Sequence, residues 1–182
     1  MAAHSSEQDM RGRIIAAAQD VIINSGVAGA TARKISAQAG ISPGTLTYHF
    51  KTVDEILEAA FTLLTEQVST NFRLRLVSAK DTGEAIEAVI DLICGDIVAA
   101  PRNMLMSFEL YAYASRNADI RLISQEWLRK SRDALSLHFD YKLAVILDAI
   151  IEGFTVHQHL STETLSREDL KILLTKLTLD RS

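Results

Sequence analysis

Hydrophobic positions recur at three- and four-residue intervals along almost all of this 182-residue chain, and sustained apolar/polar alternation is absent. That period predicts an all-α protein. A first helix is predicted over residues 9–25, with Ile14, Ala18, Val21, Ile22 and Ser25 on one stripe. Residues 26–30 read as a loop. Thr31 is placed to cap a short helix ending at Ala39, by accepting a hydrogen bond from a free N–H of its first turn. Gly40 permits the positive φ of a tight turn. Ser42 is the next cap, and Pro43 opens a second short helix over residues 43–50, where its missing N–H costs nothing. Thr52 and Glu55 have the spacing of a capping box and start a long helix over residues 53–76. Asp81 and Glu84 repeat that spacing, and Pro101 ends or divides the following helix near Ala100. Further helices are predicted over residues 102–115, 118–139, 141–160 and, after a Ser166/Asp169 pair, 166–179, about nine in all. The first six or so residues and the last few are expected to fray.

Four of the eight glycines, Gly26, Gly29, Gly40 and Gly44, fall in one short stretch. The predicted division is a three-helix head over residues 1–52 and a helical bundle over residues 53–182. Hydrophobic residues make up 48% and charged residues 23%, the composition of a folded domain and not of a disordered chain. No strictly apolar run exceeds five residues, against the roughly 18 of a membrane span, so no membrane partner is expected. The start lacks the charged-then-apolar layout of a secretion signal, and the expected location is the cytoplasm. A single cysteine, Cys94, excludes an internal disulfide and a multi-cysteine metal site. Cys94 itself reads as a small apolar filler.

Net charge is −4, which disfavours indiscriminate polyanion binding by the whole molecule. The charge is uneven. Residues 1–51 hold five basic and three acidic side chains, a net +2, so the remainder carries −6.

The segment from Thr31 to Phe50 places two short helices around a glycine-led turn, with Ile35, Ala39, Ile41 and Leu46 positioned to lock them at a steep angle. That is helix-turn-helix geometry, in which the second helix enters the DNA major groove. Small residues at Gly44 and Thr45 let the N-terminal end of that helix approach the groove, adding its free N–H donors and dipole. Thr45 and Thr47 can hydrogen-bond base edges or touch a thymine methyl. Thr31, Arg33, Lys34, Ser42, Tyr48, His49 and Lys51 complete the candidate DNA-contacting set, with Lys34, Tyr48, His49 and Lys51 as phosphate anchors. An adaptor that uses the same helical hairpin for protein contacts is the alternative, but it leaves the spacing from Thr31 to Phe50 unexplained.

Arg13, Ala17, Gly26, Thr31, Ile35, Ala39-Gly40-Ile41-Ser42, Gly44-Thr45-Leu46, Tyr48-His49-Phe50 and Ile56-Leu57 follow, without a gap, the N-terminal pattern of the TetR-type transcriptional regulators, which this chain resembles. The resemblance implies a ligand-responsive DNA-binding regulator, most often a repressor, that binds a palindromic operator as a homodimer and is released by a small-molecule effector. Three positions depart from the pattern. Thr47 stands where a tyrosine is usual, with Tyr48 one place later, and Val53 replaces a usual lysine. Phosphate affinity supplied there in the family must come here from elsewhere, with Tyr48 and Lys51 as the candidates, or be weaker. Ala32 occupies a usual base-contacting position and cannot donate hydrogen bonds, leaving Arg33 as its substitute.

For the rest of the chain the resemblance is one of layout, and implies a divergent helical domain that forms the dimer and encloses a ligand. Between residues 143 and 160 one stripe (Leu143, Ile146, Leu147, Ile150, Phe154) is expected to face the core. Another (Val145, Ala149, Val156, Leu160) needs a second partner. The last helix carries Leu170, Leu173, Leu174 and Leu177 on one side, so a homodimer through the last two helices is expected. Met104, Phe108, Tyr111, Trp127, Phe154 and His157 are the candidate ligand-binding residues, with Met106, Tyr113 and Phe139 as further apolar surface and Glu109 and Gln158 as polar contacts. His157 and His159 diverge on a helix and make a poor metal pair. No Gly-x-Ser-x-Gly elbow, His-Glu-x-x-His pair, phosphate loop or dinucleotide glycine pattern is present, so neither an enzyme nor a cofactor is expected.

Overall fold

The computed structural model describes residues 2–95, 100–163 and 165–179. All regular structure among them is helical: α1 (Ala2–Gly29), α2 (Ala32–Ala39), α3 (Pro43–His49), α4 (Val53–Ser78), α5 (Thr82–Cys94), α6 (Pro101–Ala114), α7 (Ala118–Leu135), α8 (Tyr141–Leu160) and α9 (Arg167–Leu179). The caps behave as the sequence predicts. Thr31 accepts from the Lys34 N–H and Ser42 from the Thr45 N–H, and Gly40 sits at φ 64°, ψ 37° as a left-handed C-cap. At α9 the Ser166 hydroxyl accepts from the Asp169 N–H (3.1 Å) while the Asp169 carboxylate accepts from the Ser166 N–H (3.1 Å), satisfying donors that a bare helix end leaves orphaned.

By compactness the chain forms two units. The first is Met1–Leu64 with Leu105–Ser124, and the second is Thr65–Met104 with Gln125–Ser182. In the first, α1 packs on α2 and α3. Its buried residues include Ile14, Ala18 and Ile22 of α1, Ile35 of α2, Leu46 of α3, and Ile56, Ala60 and Phe61 of α4. Phe50, just after α3, is buried with them. In the second, α5 packs on α8 and α9, with Ile86, Val89, Ile90 and Ile93 buried on α5 and Leu170 and Leu174 on α9. Compactness thus groups the first half of α4 and most of α6 with the head, beyond the expected division at residue 52.

Several details differ from expectation. α1 starts at Ala2 and not near residue 9, because residues 2–8 contain neither proline nor glycine to stop a helix. It also runs past the expected loop to Gly29, broken only at Gly26 (φ 68°, ψ 171°). Ser25 is exposed rather than part of the buried stripe; its hydroxyl accepts from the Lys34 ammonium (3.3 Å). α7 ends at Leu135, short of residue 139, where i→i+3 bonds from the N–H groups of Leu137 and His138 tighten the chain. α5 ends at Cys94, and the expected continuation toward Ala100 lies largely outside the described residues.

The buried face of α8 is Leu143, Ala144, Leu147, Asp148, Ile151 and Thr155, about one residue round from the expected stripe; Ile146, Ile150 and Phe154 are half-buried. Two polar residues turn inward because each is satisfied there. Asp148 accepts from Arg132 of α7 at 2.9 Å, and the Thr155 hydroxyl donates to the Ile151 carbonyl at 2.7 Å. On the opposite side Ala149 and Leu160 are exposed and Val145 and Val156 half-buried. By length and mean hydropathy α8 is the one helix among the described residues that matches a membrane span; in the structure it packs on α5, with Asp148 ion-paired to Arg132.

Candidate nucleic-acid interface

α3 is a short rod seated by its apolar side. Leu46 and Phe50 are 2% and 1% exposed, whereas Ser42, Gly44, Thr47 and Tyr48 lie on the outside, with Tyr48 77% exposed. Thr45 and His49 are half-buried at the edge of that face. The outer face therefore presents a hydroxyl-rich start and an aromatic ring further along, over a base that packing holds fixed.

The hydroxyls are already orientated. The Ser42 Oγ accepts from the Thr45 N–H at 3.0 Å and also lies 3.0 Å from the Thr45 Oγ1. The Thr47 hydroxyl donates back to the Gly44 carbonyl at 3.0 Å, which leaves its lone pairs and methyl outward. Gly44 has only the Ser42 Oγ within reach of an added Cβ, at 3.6 Å, so small size there is not required by packing within the chain. The His49 ring stands edge-on to Tyr48, centroids 5.0 Å apart, and its Nδ1 is buried without a hydrogen-bond partner.

On α2, Arg33 and Lys34 are exposed, as are Thr31 and Lys51 in the flanking segments. Lys34 is partly committed through its bond to Ser25, and Thr31 through its cap. All ten candidate DNA-contacting residues thus fall on α2, α3 and the segments that flank them.

Two arginines of α1, to which the sequence reading assigns no structural partner, hold this arrangement. The Arg11 guanidinium donates to the His49 carbonyl, lies 4.0 Å from the centroid of the Phe50 ring and reaches Glu55 at 3.8 Å. Arg13 donates to the Ala39 carbonyl at 3.0 Å. Each arginine satisfies a carbonyl at a helix C-terminus, where a cation also meets the favourable end of the dipole. Their signal was positional: two arginines beside the buried stripe of the first helix.

The candidate ligand-binding residues divide between the two units. Met104 is buried, and Trp127 and Phe154 are half-buried, in the second unit, where His157 is exposed. Phe108 and Tyr111 are half-buried in the first. Glu109 accepts from the Val27 N–H at 2.8 Å. Gln158 donates to the Leu165 carbonyl at 3.2 Å and lies 3.7 Å from the half-buried Cys94 sulfur. Two surface grooves of the second unit, each of about 400 Å³, run between α4 and α5 and between α4 and α7, and none of the six candidates lines either. No cluster of three or more metal-ligating side chains occurs among the described residues.

A capped two-helix hairpin braced by a long first helix defines a helix-turn-helix DNA-binding protein. The family model described as bacterial regulatory proteins of the tetR family matches residues 14–60. SCO7518, a candidate transcriptional regulator of Streptomyces coelicolor A3(2), superposes with a TM-score of 0.86 and 37% identity, covering 93% of this chain and 98% of that one. The multidrug binding protein EbrR, in complex with imidazole, superposes with a TM-score of 0.74 and 28% identity over 92% of this chain and 94% of its own. CymR of Pseudomonas putida, an HTH-type transcriptional regulator, is 35% identical over 83 residues, 46% of this chain; the match spans about two fifths of CymR's own length, 41%. The chain belongs to the TetR family of transcriptional regulators and is a DNA-binding protein.

Proposed function

We propose that this regulator is a repressor that binds a palindromic operator as a homodimer in the cytoplasm and leaves it when a small molecule occupies the helical domain. The observation that carries the reading is the outer face of α3, where Ser42, Gly44, Thr45, Thr47 and Tyr48 are presented over the buried Leu46 and Phe50. Thr45 and Thr47 read base edges, with Arg33 reaching from α2. Tyr48, His49, Lys34 and Lys51 hold phosphates, and Thr31, Ser42 and Gly44 set the approach.

Dimerisation through α8 and α9 fits the exposed Ala149, Leu160 and Ile172 and the half-buried Val145, Val156, Leu173 and Leu177. A two-fold pair presents its reading helices to half-sites roughly 34–36 Å apart. Met104, Phe108, Tyr111, Trp127, Phe154 and His157 are the proposed effector contacts. EbrR complexes with ethidium, malachite green and proflavin support aromatic cations as the first effector class to screen.

Release requires that effector bind the low-affinity state much more tightly than the operator-bound state, since equal affinity for both shifts nothing. α4 runs unbroken from Val53 to Ser78, directly after the head, and supports its use as the lever. The test is operator affinity with and without an effector found by quenching of the single Trp127. A fall of at least tenfold at saturation is expected, and unchanged affinity overturns the release mechanism.

A further inference from the structure

We propose that Glu109 is a positioning residue for the DNA-contacting head: from α6 it latches the elbow between α1 and α2, and so sets the direction in which the reading helix is presented. The proposal rests on the operator-binding reading above and assigns to one carboxylate a role in it.

The elbow begins at Gly26, whose φ of 68° interrupts α1. A break of this kind creates a new helix start with unsatisfied N–H groups. The Val27 N–H is one of them, and it donates to the Glu109 Oε2 at 2.8 Å, across 82 residues of sequence. A carboxylate is a favourable partner for such an N–H, as a charge-assisted acceptor. Residue 26 suits glycine twice over. Its φ lies in the left-handed region, and a Cβ there would meet the Glu109 Oε1 at 3.2 Å.

A second contact lies one helical turn along the same face of α6. The Tyr113 hydroxyl donates to the Asp54 carboxylate at 3.0 Å, in the first turn of α4. α6 therefore grips the chain just before α2 and just after α3. Between these two grips lie α2, α3 and the turn that joins them. Downstream of the elbow, the Ala30 N–H closes onto the Val27 carbonyl at 3.0 Å and Thr31 caps α2, so the direction of α2 is fixed within a few residues of Glu109. The bond Glu109 makes is to the backbone of α1 and not to a candidate DNA-contacting side chain.

In a dimer, a head held loosely at its elbow still binds one half-site but no longer favours one separation between two. The experiment uses full-length protein and a selected operator whose half-sites are moved apart by inserted base pairs, together with an isolated half-site. Amide hydrogen exchange at Val27 is read on the free protein. Glu109→Ala is expected to speed Val27 exchange at least tenfold and to lower affinity for the native spacing about tenfold. It should also flatten the dependence on spacing and leave half-site affinity within about twofold of wild type. Glu109→Gln, whose amide oxygen still accepts from Val27, should retain the wild-type spacing profile.

Unchanged Val27 exchange in Glu109→Ala overturns the latch. Equal loss on half-site and full operator overturns the positioning role and reduces Glu109 to a support of the head's fold. Wild-type protein that binds no operator sequence-specifically sinks the reading beneath the proposal and the proposal with it. That outcome is told apart because wild type is measured first.

Discussion

Arg11 donates its guanidinium to the carbonyl oxygen of His49, and in doing so ties the first helix of the chain to the last residue of the reading helix. The same group lies over the Phe50 ring at 4.0 Å. One side chain thus caps α3, stacks on the aromatic residue that follows it and reaches toward Glu55 at the start of α4. The DNA-contacting face has no rigid sheet behind it. It depends on such braces and on a small apolar core.

Arg11→Met should therefore loosen α3 without removing a DNA contact. The cation–π and capping contributions, discounted for a side chain 41% exposed, amount to about 1–2 kcal/mol. Urea denaturation should show that loss. Operator affinity should fall for all sequences alike, and unchanged stability would remove Arg11 from this role.

Leu46→Ala tests the core beneath the face. Leu46 is 2% exposed, and truncation of a fully buried leucine costs about 2–5 kcal/mol. A thermal or denaturant midpoint shift of that size is expected, with DNA binding restored at low temperature where the head remains folded.

The proposed contacts separate reading from anchoring on the outer face. Thr45→Ala should relax preference among operator variants, while Lys51→Ala should weaken all sequences similarly and flatten the salt dependence of log Kd by about one unit per head. Competition binding over a salt series distinguishes them. If the two variants behave identically, the division of labour on α3 is wrong.

Asp148 and Arg132 form the buried ion pair between α8 and α7. Arg132→Met leaves an uncompensated carboxylate in a buried position and should cost about 2–3 kcal/mol, a figure lowered because Arg132 is 31% exposed. Asp148→Leu with Arg132→Met together should recover much of that loss in a double-mutant cycle. A purely additive result would show that the pair is not coupled.

At α9 the Ser166 hydroxyl and N–H hold the Asp169 carboxyl below its ordinary value. A group depressed in the folded state adds stability above its unfolded pKa of about 3.9 and loses it as pH falls through the lower folded value. Thermal midpoints between pH 2.5 and 5.5, about the carboxylate range, should therefore drop more steeply for wild type than for Ser166→Ala. Parallel curves would exclude this cap as a source of acid sensitivity.

What could be read from sequence was what is decided locally. Thr31, Gly40, Ser42 and Pro43 act on neighbours within four residues, so both short helices and their turn were predictable in place. The buried stripe of α1 was equally clear from Ile14 to Ile22. Residues whose partners lie far along the chain were not. Arg11 enters the sequence reading only as charge and Arg13 only as part of the N-terminal pattern, because the carbonyls they cap are 38 and 26 residues away. The buried face of α8 was misjudged since Asp148 turns inward only when Arg132 is there to meet it. The bond from the Val27 N–H to Glu109, across 82 residues, has no local signal either.

The most direct test of the account is selection of duplexes from random DNA by the full-length protein, followed by mapping of guanine N7 protection on the enriched sequence. The account predicts a palindrome with two major-groove segments protected about one helical turn apart, and loss of preference within those segments for Thr45→Ala. No enriched sequence, or an enriched sequence with no guanine N7 protected, would contradict it.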